Sequence, residues 1–546
     1  MILELCILAF YATYGFWGRS LEYLRRSKEI YGKVNYNKED CLFRKRIEEY
    51  CLMNKYNGND RISRLPDDIL YSIISLLEVR DVVKASVLSR RWRYICASLS
   101  NTNIEFDLCK MFGRSNNCND VGARLGLPGS YNKNITKEWL TLNARRHIEP
   151  HLCPIVKHKF AQTVHQFIKL YLAPQIRSFK VAFCFERKFT NAVNRWISFA
   201  IRMGVERLDL NFVCSFHTKY RNMYDGLYTL SCQLLSEASN LKHLRVYSCM
   251  LKPDICCRFN TLLTLDLNYV PLTQGDLENL LVVCLKLETL MVKQCNLPVK
   301  FCIFGPPSLQ KVVVNCCRGL KEIELSAINL STFELTDFGT IKISFSNVPK
   351  LNKVFLWLGR RDWILYMFKK FAKDLPQLTT LLIKTEGVKH IPASPIKLSN
   401  VMQLELLTYF DTGNDLVKIM ARLLHAFPLL RKLTVQIAQS LHYEQKSVEE
   451  IGQCVHTHLK EVELSGFSGA WSHMDCAIYL LRNAVALNQM VIDPWYYTGL
   501  DLSLGPYRHR WSGGAWKNIY YQLLGNYYSN ANVVVRYNQP DPTRRL

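Results

Sequence analysis

Leu262-Leu263-Thr264-Leu265-Asp266-Leu267 is followed at a short interval by Leu287-Glu288-Thr289-Leu290-Met291-Val292, and these two stretches decide how the chain is read. Each sets an apolar residue, two of any kind, an apolar residue, one of any kind, and another apolar residue. The phrase returns at Val205, Leu208, Leu210; at Leu241, Leu244, Val246; and at Leu309, Val312, Val314. It continues at Leu351, Val354, Leu356; at Leu378, Leu381, Ile383; at Val401, Leu404, Leu406; at Leu430, Leu433, Val435; and at Leu459, Val462, Leu464. Recurrence of one phrase at a nearly fixed interval marks a stacked array of supersecondary units.

The middle apolar positions mostly lie 21 to 29 residues apart, the period of leucine-rich repeats. Each phrase predicts a short strand whose alternate side chains enter the core, and stacking joins the strands into a curved parallel sheet. The expected fold is α/β: a solenoid with helices and loops on its convex side. The unspecified strand positions would face the concave side, where a partner can be read over a wide area without a chemical step. Two gaps are longer. The one between Val312 and Val354 holds Leu320, Ile323, Leu325 and Leu330, Phe333, Leu335, read as degenerate turns of about ten residues each. The one after Leu208 predicts an insertion around His217 to Tyr228.

With 546 residues, 49% apolar and 21% charged, the chain is long enough for several domains or one elongated array and can bury a large core. Its 20 cysteines follow no disulfide or zinc spacing and are expected to be reduced thiols. Met1 to Trp17 is apolar but carries Glu4 and falls short of the roughly 20 residues a membrane span needs. No later stretch reaches that length without a charge, so no membrane partner is expected. The net charge of +24 raises nucleic acid as a ligand. Residues 101–204 concentrate it, with 16 Lys and Arg against 6 Asp and Glu, yet no dense basic run is interleaved with stacking aromatics. A solvated basic face, or a surface for an acidic partner, is the better reading.

Between Arg61 and Leu99 the pattern turns helical. Pro66 suits a first helical turn, and Asp67 and Asp68 suit the positive end of the helix dipole. Ile69, Leu70, Ile73, Ile74, Leu76 and Leu77 follow, more apolar positions than one face needs. Val82, Val83, Ala85, Val87 and Leu88 form a second group, and Ser89 can cap a third helix carrying Trp92, Ile95 and Cys96. Three short helices cannot bury all these side chains alone, so some face a partner.

Asp60-Arg61-Ile62-Ser63-Arg64-Leu65-Pro66-Asp67-Asp68-Ile69-Leu70, followed by Ser86-Val87-Leu88-Ser89-Arg90-Arg91-Trp92-Arg93, resembles the F-box of plant F-box proteins. Trp196-Ile197, Ile201-Arg202 and Val205-Glu206-Arg207-Leu208-Asp209-Leu210 resemble the start of the repeat domain in plant F-box and leucine-rich-repeat proteins. His458-Leu459-Lys460-Glu461-Val462-Glu463-Leu464, Gly466-Phe467-Ser468-Gly469 and Tyr479-Leu480-Leu481-Arg482-Asn483-Ala484 are similar to the FBD module that often closes them. The resemblances span roughly residues 60–493. They divide the chain into an N-terminal extension (1–59), an F-box (60–100), a capping region (101–204), leucine-rich repeats (205–455), an FBD-like module (456–493) and a divergent tail (494–546). The capping region is expected to hold a strand at Ile104, Phe106 and Leu108, and helices near Phe160 to Leu172 and Ala192 to Met203.

No sequence constellation assembles an active site. There is no Gly-x-Ser-x-Gly elbow or His-Glu-x-x-His pair, and Gly32-Lys33 lacks the residues of a phosphate loop. His456 and His458, and Cys153 with His158, lack further ligands at zinc spacing, so no metal or cofactor is expected. The F-box resemblance implies a receptor subunit of an SCF-type ubiquitin ligase in the nucleus or cytoplasm. Leu65, Pro66, Ile69, Leu70, Ile73, Val83, Leu88 and Trp92 would pack against a Skp-family adaptor. A cullin and a RING protein would join through it, and the repeats would hold a target protein. The rival readings are a repeat scaffold outside any ligase and a basic nuclear protein that binds nucleic acid.

Overall fold

The computed structural model describes residues 65–75, 90–97, 103–112, 154–171, 175–212, 226–252, 259–337, 339–359, 363–385, 396–408, 416–437, 455–496, 507–508, 517, 519, 521–523 and 531–536. The chain divides into two compact units, Met1–Tyr228 with Glu237–Leu241, and Thr229–Ser236 with Lys242–Leu546. The extension 1–59, the insertion read at His217 and the apolar group Val82 to Leu88 lie outside the described residues.

The first unit contains helices α1 (Asp67–Ser75), α2 (Arg90–Ala97), α3 (Leu108–Phe112), α4 (Pro154–Leu170) and α5 (Thr190–Arg202). Strands Asn103–Asp107, Ser178–Ala182 and Arg207–Asn211 pair in parallel, aligning Ile104 with Phe179 and Leu208. Leu108, read as the end of the first strand, instead opens α3. The middle strand carries the repeat phrase at Ile176, Phe179 and Val181, all buried. Aromatic rings fill the space behind it: Phe160 stacks on Phe183 at 5.2 Å, and Trp196 meets Phe160 edge-on at 6.0 Å. Such pairs add about 0.5–1.5 kcal/mol each beyond their buried area.

In the second unit, strands His243–Tyr247, Thr264–Asn268, Thr289–Lys293, Lys311–Asn315, Thr332–Asp337 and Lys353–Leu358 lie side by side in parallel. The same ladder continues through Thr380–Thr385, Gln403–Leu407, Lys432–Gln436, Glu461–Ser465 and Gln489–Asp493 to Asn532–Val535. Among the described residues these strands pair residue for residue. Leu265, Leu290, Val312, Phe333, Val354, Leu381, Leu404, Leu433 and Val462 therefore form one buried row. Parallel strands need a crossover, supplied in part by helices α6 (Cys232–Ser236), α7 (Gln274–Val283), α8 (Trp363–Asp374), α9 (Leu416–Ala426) and α10 (Trp471–Asn483). In α9, Leu416, Ile419, Met420, Leu423 and Leu424 recur at helical spacing and are buried.

Between coils, the backbone satisfies itself in a repeated way. The Glu288 carbonyl accepts from the N–H groups of Gln310 (2.8 Å) and Lys311 (2.9 Å), and the Gln310 carbonyl accepts from Ser331 and Thr332. The Asn352 carbonyl does the same for Thr379 and Thr380. A buried backbone group left unpaired would cost about 1–3 kcal/mol.

Buried cysteines extend this bonding. The thiol of Cys295 lies 3.4 Å from the Leu267 carbonyl and accepts from the Val270 N–H at 3.4 Å, while Cys317 bonds the Val292 carbonyl at 3.4 Å. Burial pushes the Cys317 thiol up to about 12, and Cys295 higher still, so both stay protonated and act as donors. Sequence reading gave these thiols no role; the structure makes them links between successive coils. Among the described residues, nine cysteines are free.

Two expectations change. The ten-residue units read between Val312 and Val354 each supply a buried strand, but successive strands alternate between two sheets, so each unit is half a coil and not a whole turn. Thr332–Asp337 joins the main ladder, whereas Glu322–Ser326 pairs with Lys300–Phe304 and Lys342–Asn347 in a separate three-stranded sheet. The tail that departs from the repeat pattern supplies the strand Asn532–Val535, which pairs with Gln489–Asp493. Among the described residues, no helix is long and apolar enough to cross a membrane.

Candidate functional site

Helices α1 and α2 form a small body with its own core. Leu70, Ile74, Trp92 and Ile95 close on one another, with Leu65 and Tyr71 packed against them. Leu70 and Ile74 lie four apart on α1 and so share the inward stripe, while Ile69 and Ile73 form a second stripe one step around the helix. That second stripe is half-buried, and Pro66 at the head of the helix is exposed. The Pro66 carbonyl accepts from the Leu70 N–H at 3.1 Å, which starts the helix where the sequence places it.

Arg91 ties the two helices together. Its Nε donates to Asp67 Oδ1 at 2.8 Å and its Nη2 donates to the Leu65 carbonyl at 2.6 Å. The pair is well exposed, so it fixes the approach of α2 to the start of α1 more than it adds stability.

The eight residues read as an adaptor contact therefore divide. Leu70 and Trp92 are 0% and 3% exposed, and burial inside the helical body gives them a packing role in the free chain. Leu65, Pro66, Ile69 and Ile73 stand at or near the surface. Val83 and Leu88 lie outside the described residues. The sequence could not separate the two stripes, because both are apolar and differ only by one residue's rotation about the helix.

A second candidate surface is the open face of the long ladder, formed by the first, third and fifth residues of each strand. Near its start, Asp266 accepts from Arg245 Nε at 2.9 Å and from Asn268 Nδ2 at 2.8 Å, with Lys293 Nζ at 3.4 Å. Tyr247 and Tyr269 stand beside this cluster with rings 5.2 Å apart. Burial, then the Tyr269 hydroxyl, push the Tyr247 hydroxyl up to about 12. Farther on, Lys384 Nζ sits 3.8 Å over the Trp357 ring, and burial pulls its ammonium down to about 8. At the far end Arg536 reaches Glu463 at 2.7 Å and Asp493 at 3.2 Å, while Lys432 meets Glu461 at 2.9 Å. Lys432, Glu461, Glu463, Gln489 and Arg536 line a shallow cavity of about 120 Å³.

These charged groups are paired with one another across neighbouring strands. His456 and His458 hold their rings 6.4 Å apart, and both nitrogens of His456 bond the backbone. Among the described residues, no group of three or more His, Cys, Asp or Glu could hold a metal ion.

Comparison with known proteins matches two separate parts of the chain. Residues 172–503 match the family described as At1g61320/AtMIF1, LRR domain, and residues 62–103 match the F-box domain. The F-box/FBD/LRR-repeat protein At5g56420 of Arabidopsis thaliana is 24% identical over 463 residues, which covers 80% of this chain and 92% of that one. F-box/FBD/LRR-repeat protein At3g26920 of the same plant is 23% identical over 447 residues, 79% of this chain and 89% of its own length. F-box/FBD/LRR-repeat protein At4g26340, also from Arabidopsis thaliana, is 22% identical over 448 residues, 80% and 93% respectively.

Proposed function

Because this chain belongs to the plant family of F-box proteins that carry an At1g61320/AtMIF1-type leucine-rich-repeat domain, we propose that it is the substrate-recognition subunit of an SCF-type ubiquitin ligase. In this reading the F-box docks on a Skp-family adaptor, a cullin and a RING protein assemble through that adaptor, and the repeat domain holds the target. The chain contributes no reacting group. It acts by proximity, since a target lysine held beside a charged ubiquitin no longer depends on chance encounter.

The supporting observation is the apolar edge of the helical body. Pro66, Ile69 and Ile73 keep apolar surface in contact with solvent next to a core that is already closed by Leu70, Ile74, Trp92 and Ile95. A partner helix laid along this edge would remove that surface from water, at about 25 cal/mol per Å².

Co-purification with a Skp-family adaptor tests the reading. Leu65→Ala combined with Pro66→Ala, and separately Ile69→Ala combined with Ile73→Ala, should abolish adaptor capture while the melting of the repeat domain is unchanged. Wild-type chain that captures no adaptor would overturn the proposal.

A further inference from the structure

The open face of the second unit changes sign along its length. Through the four strands from His243–Tyr247 to Lys311–Asn315, that face carries Arg245, Lys293 and Lys311 against the one carboxylate of Asp266. The middle strands bring Phe355, Trp357, Leu382 and Leu407 to the same face, where Lys353 and Lys384 balance Glu334 and Glu405. Beyond them, Glu461, Glu463 and Asp493 outnumber Lys432 and Arg536.

Internal pairing does not erase the difference. Asp266 is buried and bonded to both Arg245 and Lys293, so one carboxylate orders two cations, while Lys311 pairs with Glu334 on the next strand. At the other end Arg536 is shared between Glu463 and the buried Asp493, so one guanidinium orders two carboxylates, while Lys432 pairs with Glu461. The two arrangements mirror each other in charge. Between them Phe355 and Trp357 are half-buried, and the ammonium over Trp357 fixes one face of its indole.

We propose that this face binds an extended segment of a partner protein laid across the strands. Its acidic residues lie over Arg245 and Lys293, an apolar residue over Phe355 and Trp357, and basic residues over Glu461 and Glu463. This rests on the reading that the repeat domain holds the target, and it adds the chemistry by which a target is chosen. Strand spacing sets the length. From Thr264–Asn268 to Glu461–Ser465 there are eight steps along the ladder, and at about 4.8 Å each they span roughly 38 Å, the reach of about a dozen extended residues. Opposite charge at the two ends also sets polarity, because a reversed segment places like against like at both ends, and one with its charges interleaved gains at neither.

Two fluorescent peptides of about a dozen residues and identical composition test this by anisotropy at low salt, where surface charge is least screened. One carries a Glu pair, a central Trp-Leu and a Lys pair in blocks; the other interleaves the charges. The full chain co-purified with its adaptor should bind the block peptide at least about ten-fold more tightly. Arg245→Gln with Lys293→Gln should remove that preference, and so should Glu461→Lys at an exposed position, with the melting point measured for each variant. Equal affinity for both peptides, a preference that survives these substitutions, or no binding up to about 1 mM would overturn the proposal. Adaptor capture is scored in the same preparations, so failure here is distinguishable from failure of the ligase reading.

Discussion

His456 is only 4% exposed, and its ring joins two coils. Nδ1 accepts from the Leu459 N–H at 3.1 Å, so Nε2 carries the proton and donates to the Phe427 carbonyl at 2.9 Å. Burial lowers its pKa, opposed by the Phe427 bond and aided by the neighbouring His458. The folded state therefore takes up its proton at lower pH than the unfolded chain. The His456 contribution is complete above the ordinary histidine value of about 6.5 and is lost as pH falls through the lowered folded value. His456→Gln should destabilise the fold near pH 7.5 by about 1–3 kcal/mol, the cost of an unmade buried bond, seen as a lower melting point. It should also flatten the decline of the melting point toward pH 5 relative to wild type. At the other end of the chain, Arg91→Ala should cost about 0.5–1 kcal/mol, typical of an exposed pair, and speed amide exchange at the start of α1. Neither role was legible in the sequence, because both depend on which carbonyl a side chain reaches. The leucine rows were legible, since alternation alone fixes which residues point inward.

At the scale of single elements, helix α7 shows how a side chain can replace a strand. Thr273 and Asp276 form a reciprocal cap at its start, which places Gln274 beside the edge of Lys300–Phe304. There the Gln274 amide donates to the Cys302 carbonyl and accepts from the Cys302 N–H, each at 3.0 Å, as a neighbouring strand would. Gln274→Ala should accelerate hydrogen exchange at the Cys302 amide and cost about 1–2 kcal/mol, while Thr273→Ala should cost about 1 kcal/mol through the lost cap. Unchanged exchange at Cys302 would refute the lock. The three-stranded sheet also explains a misreading. Leu320, Ile323 and Leu325 spell the same phrase as the main ladder, yet Glu322–Ser326 lies in another sheet. Alternation reports that a strand is buried on one side and is silent about which sheet receives it.

For the whole molecule, the tail is the least legible part. Its Tyr- and Asn-rich composition hides the strand Asn532–Val535, whose phrase lacks the leading leucines of the repeats. A chain ended after Asn530 should expose the Gln489–Asp493 edge and release Glu463 and Asp493 from Arg536. Light scattering should then show more self-association than the full chain gives. The strands Thr289–Lys293, Lys311–Asn315, Thr332–Asp337 and Lys353–Leu358 begin 22, 21 and 21 residues apart and meet their neighbours residue for residue. Every coil here offers the next one the same interface. Loss or duplication of a whole coil by recombination leaves the flanking leucines in phase, whereas one inserted residue within a strand turns them outward. Such a gene can change the reach of its product in whole steps while each intermediate still folds.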